Sequence, residues 1–479
     1  MLFNSLDFAV FLPLVFAIFW AIPRRRTDLR NGLLLVASYV FYGWWDMRFL
    51  LLIAFSTILD FYLSIGITNS TDERRRRLLL WTSLVVNLGL LGFFKYFNFF
   101  LDQVNGAFSL FGMPLGSERL NIILPVGISF YTFQTLSYTI DVYRGDLKAS
   151  RNPVAFAAFV SFFPQLVAGP IERASNLLPQ FATPRKFSRT DAVNGSRQML
   201  WGFFKKLVIA DNCAEQVDRI FASHESAGAS TLVLGAVFFA FQIYGDFSGY
   251  SDIAIGTARL FGFELMQNFA FPYFSRDIAE FWRRWHISLS TWFRDYLYVP
   301  IGGSRGGTAM RVRNTFIIFL VSGFWHGANW TFVAWGALNA LYFLPLLLAG
   351  RNRQNLGNPA EGRLLPSPRE AAQMLGTFTI TCVAWVFFRA QDMEQALDYL
   401  GGMASTSLMR QPDVGNNNLP LLVFFFVCLE WKGRTSEYAI ERIGMGWPRP
   451  VRWGFYSMLI AMIGLFMRTE EAPFIYFQF

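Results

Sequence analysis

An all-α polytopic membrane protein is the fold class this sequence predicts, and three observations carry it. Of 479 residues, 53% are apolar and 16% are charged, where a soluble chain carries about 25% charged residues. Apolar runs long enough for a helix to cross a ~30 Å hydrocarbon core recur along the whole length. Lys and Arg gather in the short stretches between those runs, the pattern that sets orientation in a bilayer.

The runs fall at Phe8–Ile22, Asn31–Trp45, Phe49–Ile67, Leu78–Phe94, Ile122–Ile140, Pro153–Ile171, Gln198–Ala210 and Thr231–Ile243. They continue at Asn314–Trp330, Thr331–Leu348, Ala372–Phe388, Leu419–Trp431 and Val451–Met467. Several are short or broken, so the expectation is a bundle of roughly ten to thirteen transmembrane or re-entrant helices. No basic region precedes the first run, and no cleavable signal peptide is expected. Arg24–Arg26 follow the first span and Arg74–Arg77 the third. Both clusters fall on one side if the first four spans are simple crossings, and that side is the cytoplasm. The basic segments Gly350–Arg369 and Lys432–Arg452 read as cytoplasmic too, whereas Gln391–Asn418, acidic on balance, reads as external. Both termini are then extracytoplasmic, in a multi-pass protein of the inner (plasma) membrane. This topology accounts for the net charge of +9, and no nucleic-acid partner is implied. Residues 1–467 read as one membrane domain and 468–479 as an extracytoplasmic tail.

Polar groups at membrane depth are costly and are candidates for function by default. The stretch Gln242–Asp252, Q-I-Y-G-D-F-S-G-Y-S-D, holds two Gly, two Ser and two Asp in an apolar region. It predicts a loosened helix whose freed backbone either lines a wet cavity or shapes the bundle. Similar breaks are expected at Phe163–Pro170 and Leu124–Gly127. Cys213, Cys382 and Cys428 lack metal spacing and read as buried bystanders; no metal and no resident cofactor are expected.

The chain has three histidines. His224 falls in a polar loop, Ser223–Ser230, and reads as solvated. His286 falls in Phe281–Tyr298, where Trp282, Trp285, His286, Leu289, Trp292, Phe293 and Tyr296 share one face of a helical wheel. Arg283, Arg284, Ser288, Ser290, Thr291, Arg294 and Asp295 take the other. That predicts a helix lying in the interface, aromatics in the headgroup layer and arginines toward water or phosphates. There His286 either orients the helix or enters the chemistry. His326 lies in V-S-G-F-W-H-G-A-N-W, thirteen residues beyond Arg313, about 20 Å along a helix. A His at that depth faces a cavity or a partner, and its unperturbed pKa of about 6.5 suits a general base near neutral pH. A purely structural His is the alternative.

These residues carry a resemblance. The segment W-R-R-W-H-I-S-L-S-T-W-F-R-D-Y-L-Y-V-P-I-G-G-S-R-G-G, with the later G-F-W-H-G-A-N-W, resembles the membrane-bound O-acyltransferase (MBOAT) family, in its bacterial branch acting in alginate O-acetylation. Y-G-D-F-S-G-Y-S-D, L-P-V-G-I-S-F-Y-T-F and F-F-P-Q-L-V-A-G-P match as well, so the likeness covers most of Met1–Phe388. It implies a helical bundle around a central tunnel that meets an acyl thioester from the cytoplasm and an acceptor from outside. It makes His326 catalytic and places His286 in a second motif. A related branch transfers D-alanine to teichoic acid. The tail P-F-I-Y-F-Q-F, Pro473–Phe479, resembles the end of the small membrane peptide of that system, where a tyrosine in F-x-Y-x-x-F is implicated as acyl carrier. Phe474, Tyr476 and Phe479 fit the pattern; an aromatic interfacial anchor is the other reading.

The mechanism expected from this resemblance begins with His326 deprotonating Tyr476, which attacks an acyl thioester, acetyl-CoA or another acyl carrier. The acyl group then passes to a polysaccharide hydroxyl, directly or through an extracytoplasmic transferase partner. His286 is the further candidate catalytic residue. Trp325, Asn329, Asp246, Trp285, Arg283 and Arg284 are candidate substrate-binding residues, with Asp246 read as structural support. Membrane lipids complete the partners. The rivals are D-alanyl or other acyl transfer to a cell-wall polymer and, from another class, a polysaccharide or small-molecule export channel, which broken helices also fit.

Overall fold

Short polar turns between apolar helices set the frame. The computed structural model describes residues 1–113, 118–415, 418–468 and 474, all helix, turn or irregular chain with no strand among them. The chain clusters into two compact units: Met1–Gly195 with Thr257–Met266, and Ser196–Gly256 with Gln267–Phe479.

The first unit contains α1 (Leu6–Ala21), α2 (Thr27–Gly43), α3 (Leu50–Asn69), α4 (Glu73–Leu110), α5 (Ile128–Arg144), α6 (Pro153–Ser161), α7 (Phe163–Leu166) and α8 (Ala174–Ala182). Ser5, Asp72 and Asn152 cap α1, α4 and α6 with side-chain oxygens, satisfying amides that a helix start leaves unpaired. At 38 residues, α4 is about 57 Å long and outruns a ~30 Å hydrocarbon core. The expected break at Phe163–Pro170 is present, since α6 and α7 are separate helices and Val167–Pro170 is not helical. A polar knot joins α3 and α4. Ser83 Oγ donates to Asp60 Oδ1 at 2.5 Å, Asn87 Nδ2 donates to Asp60 Oδ2 at 2.9 Å, and Ser56 Oγ donates to Asn87 Oδ1 at 2.6 Å.

After α9 (Arg189–Phe203) a π-helical stretch, Phe204–Ala210, leads into α10 (Asp211–Ala222) and α11 (Ala229–Leu260). There follow α12 (Ile278–Arg284), α13 (Ile287–Phe293), a second π-helical stretch Arg294–Tyr298, α14 (Thr308–His326), α15 (Trp330–Leu348), α16 (Pro368–Arg389), α17 (Met393–Met403), α18 (Leu419–Gly433) and α19 (Arg449–Phe466). Among the described residues five helices are long and apolar enough to cross a membrane: Met47–Asn69, Glu73–Leu110, Ala229–Leu260, Trp330–Leu348 and Pro368–Arg389. The protein is a multi-pass membrane protein.

Two expectations are corrected. The stretch Gln242–Asp252 does not break its helix: α11 runs unbroken through it. Its glycines serve close packing instead, because a Cβ on Gly249 would sit 2.8 Å from the Gly202 carbonyl oxygen and one on Gly245 would sit 3.0 Å from that of Lys205. Its carboxylates need no freed backbone, because Asp246 pairs with Lys206 at 2.8 Å and Asp252 with Lys205 at 2.6 Å. The tandem lysines come from the first π-helical stretch, where the wider turn presents both to one neighbour. The second correction concerns Phe281–Tyr298, which is not one interfacial helix. It divides at Trp285–His286, with His286 left-handed at φ 43°, and Trp285, His286, Leu289 and Phe293 are buried in protein. The aromatic stripe thus faces other helices of its own unit, a burial that a helical wheel cannot tell from burial in headgroups.

Candidate active site

The site is built where α14 ends. Helix α14 stops at His326, and Asn329 caps α15 by accepting from the Thr331 amide, so the two helices form a tight hairpin. Gly323 makes this possible: a Cβ there would meet the Phe332 carbonyl oxygen at 2.2 Å. At the apex the His326 ring is buried among Trp325, Trp335 and Phe388, with centroids 5.0, 5.2 and 5.2 Å away. Trp385 of α16 continues this box, 5.8 Å from Trp335 and 5.0 Å from Trp285. His326 sits at a helix end, not in mid-span as the expected run Asn314–Trp330 implied.

His286 reaches the same box from the other motif. Its ring lies 4.6 Å from Phe247 and 6.3 Å from Trp325, so Trp325 touches both histidines. Its Nδ1 lies 3.1 Å from Asn268 Oδ1. Its Nε2 has no hydrogen-bond partner among the described residues. Burial pushes this imidazole down to about 3, which keeps it neutral. The left-handed backbone of a non-glycine residue is itself a mark of strain held by its surroundings, common at functional sites.

A cavity of about 470 Å³ runs beside α14. Arg294, Arg311 and Arg353 line it together with Trp282, Phe319 and Ser322. Ser322 lies one helical turn before His326, so the cavity follows α14 from a basic end toward the histidine. Arginine groups suit phosphate oxygens, and the aromatic and aliphatic part suits an apolar chain.

The other candidates are distributed as follows. Trp285 and Trp325 join the aromatic box. Asn329 is half-buried at the hairpin, its amide donating to the Gln391 carbonyl at 2.6 Å. Arg283 donates to the carbonyls of Asn352 and Asn355, and Arg284 pairs with Glu280 at 3.0 Å and donates to the Ala270 carbonyl. Both arginines brace loops, Arg284 from a buried position and Arg283 from an exposed one. Asp246 belongs to the lysine cluster, in which Lys206 also meets Asp211 at 2.9 Å. His224 Nδ1 bonds within its own turn, at Phe221 O. Cys428 is exposed, unlike the buried Cys213 and Cys382. Tyr476 and Phe479 lie outside the described residues. Phe474, two positions before Tyr476, is fully buried against Tyr250 and Phe247, at 4.5 and 5.8 Å, and Phe247 is the ring that packs on His286. Sequence reading missed Asn268, Lys205 and Lys206, which carry no motif of their own; only the tandem of two lysines inside an apolar run hinted at partners.

Residues 147–388 match the profile of the membrane-bound O-acyltransferase family. The chain is 37% identical to the "Probable alginate O-acetylase" of Pseudomonas putida over 100% of both chains. It is 36% identical to the peptidoglycan O-acetyltransferase of Helicobacter pylori over 84% of this chain and 80% of that one. A teichoic acid D-alanyltransferase of Streptococcus thermophilus is 31% identical over 45% of this chain and 55% of its own.

Proposed function

The chain belongs to the membrane-bound O-acyltransferase family and is an O-acyltransferase, and from that premise we propose that it carries acetyl groups from a cytoplasmic thioester to an extracytoplasmic polysaccharide. Acetyl fits better than D-alanine as the acyl group, since the full-length likeness is to acetylating enzymes and the D-alanyl likeness covers under half of the chain. The carrying observation is the geometry around Trp325: two buried histidines touch it, and an arginine-bearing cavity approaches one of them along α14. The cavity is the donor site, with Arg294, Arg311 and Arg353 meeting the phosphates of acetyl-CoA. The basic segments support a cytoplasmic place for that side, with both termini outside, in the inner membrane.

In the first step His326 takes the phenolic proton of Tyr476, whose unperturbed pKa of about 10 calls for a base. The phenolate oxygen attacks the thioester carbonyl carbon, the C–S bond breaks, and the coenzyme thiolate leaves with the proton from His326. A hydroxyl of the polysaccharide, or of a transferase partner, then attacks acetyl-Tyr476; the aryl ester breaks and the phenol regains its proton. A thioester and an aryl ester both lie above an alkyl ester in free energy, so neither transfer is steeply uphill. Phe474, two positions before Tyr476, is buried beside Phe247, the ring that packs on His286, and this supports the reading of Tyr476 as a reactant.

The test uses the purified full-length chain in vesicles with acetyl-labelled acetyl-CoA. Label should appear on the C-terminal peptide of the wild type and be absent from Tyr476→Phe. A full-activity Tyr476→Phe protein would leave the tyrosine as an anchor and transfer as a direct step at His326.

A further inference from the structure

His286 is held by one residue that no motif singles out. Asn268 is buried in the segment that follows α11. Its backbone carbonyl accepts from the Ile287 amide at 2.9 Å, and its Nδ2 donates to Ser251 Oγ at 3.1 Å. Its Oδ1 meets the Ser288 amide at 3.3 Å, Ser288 Oγ at 2.9 Å and His286 Nδ1 at 3.1 Å.

The Ser288 amide can only donate, so the side-chain atom facing it must be the oxygen of Asn268. A flipped amide would set its NH₂ against that N–H, whereas the Ser251 hydroxyl could serve either orientation. With the oxygen fixed there, the imidazole nitrogen opposite it carries a proton, because two acceptors repel. Which nitrogen of a neutral histidine is protonated follows from the bond the other ring atom makes, and here the answer is Nδ1. Nε2, which has no partner among the described residues, then presents a lone pair. The opposite tautomer would bury an N–H without an acceptor and oppose two lone pairs at Asn268.

We propose that Asn268 is a positioning residue that locks His286 as the Nδ1–H tautomer, so that Nε2 accepts a hydrogen bond from the hydroxyl taking up the acyl group. The role of that hydroxyl rests on the acyltransfer mechanism above; the tautomer does not. The strained φ of His286 fits this role, for the Ile287–Asn268 bond and the Ser288 bonds hold the turn that aims the ring. The charged groups on the surrounding elements are already paired: Asp246 and Asp252 of α11 with Lys206 and Lys205, and Arg284 with Glu280. Tyr244 and Glu430, which line the same pocket as Asn268, bond each other at 2.6 Å, and His326 lies beyond Trp325. Ser288 Oγ also lies 3.4 Å from His286 Nδ1, but its hydroxyl donates to Asn268 Oδ1 at 2.9 Å, which leaves the proton position on His286 to Asn268.

The chain contains three histidines, so the full-length protein labelled with ¹⁵N-histidine gives three imidazole pairs, and His286→Gln identifies one by subtraction. The resting wild type should show His286 protonated at Nδ1 and bare at Nε2, whether or not acetyl transfer occurs. Asn268→Leu should lose that preference and lower kcat about 30-fold with donor KM within about twofold. Asn268→Asp keeps an acceptor and should rescue most of that loss, while its carboxylate moves the acid limb of the pH–rate profile to higher pH. A His286 found as the Nε2–H tautomer in the wild type overturns the proposal, as does a folded Asn268→Leu protein with unchanged kcat. Should Asn268→Leu fail to fold, the wild-type tautomer and the Asn268→Asp pH profile decide it. Absent transfer with the Nδ1–H tautomer present would count against the acyltransfer reading alone.

Discussion

Asp60 in the first unit and His286 in the second are both wholly buried polar side chains in apolar surroundings, and they are satisfied to different degrees. Asp60 has each carboxylate oxygen bonded, one to Ser83 and one to Asn87, and Asn87 is held in turn by Ser56. His286 has one nitrogen bonded to Asn268 and the other without a partner among the described residues. An unmet buried polar atom costs roughly 1–3 kcal/mol, so one on an imidazole beside the candidate catalytic His326 is a candidate to receive a reacting group. Saturated knots hold helices together in a membrane; an open valence in a box of tryptophans is where a reacting group would be received. The lysine–aspartate cluster of α11 belongs with Asp60, despite its greater charge.

The largest test of this contrast is His326→Ala. We expect transfer to fall by about 10⁴-fold, with yield and thermal unfolding close to wild type, measured as acetyl-CoA consumption and polymer acetylation. Substantial transfer by a well-expressed variant would remove His326 as the base. Tyr476→Phe should match it in polymer acetylation, because it keeps the ring and removes the nucleophile. A smaller loss, about 100-fold, is expected for His286→Ala, since its partnerless nitrogen receives or orients a proton rather than initiating attack. Equal loss at both histidines would place His286 in the first proton transfer.

These differences also mark how far the sequence could be read. Composition and apolar runs predicted an all-helical membrane protein, and the motif around His326 predicted a buried histidine, because both are local signals. The unbroken course of α11 was hidden, since glycines that permit close approach look like glycines that break a helix until the facing backbone of Gly202 is known. The sharp turn at His286 was hidden for the opposite reason: W-R-R-W-H-I-S-L-S-T-W has good helical periodicity, and the left-handed residue is imposed by Asn268, eighteen positions away. Periodicity reports which residues share a face but not whether lipid or protein covers it, so the aromatic stripe was legible and its surroundings were not.

A smaller effect is expected at the cavity. Arg353→Gln removes one of three arginines from its lining, and we expect donor KM to rise about threefold to tenfold with kcat little changed, the signature of lost uniform binding. A fall in kcat with KM unchanged would instead bring Arg353 into the chemistry.

The smallest effect, Asp60→Asn, bears most directly on the contrast. An asparagine of the same shape can turn its oxygen to Asn87 Nδ2 and its NH₂ to Ser83 Oγ, where the hydroxyl rotates from donor to acceptor. Each bond survives, so stability should change by less than about 1 kcal/mol and transfer per folded molecule by less than about twofold. Asp60→Leu leaves Ser83 and Asn87 without their acceptor and should lower yield and thermal stability, again with transfer per folded molecule retained. The pair separates shape and saturation from charge. An Asp60→Asn protein that folds normally yet transfers no acetyl would mean that the Asp60 proton or charge is used, and saturation would no longer distinguish a structural polar cluster from a chemical one. Normal transfer in both variants would leave Asp60 as a tie between α3 and α4 and the two histidines as the buried polar groups that act.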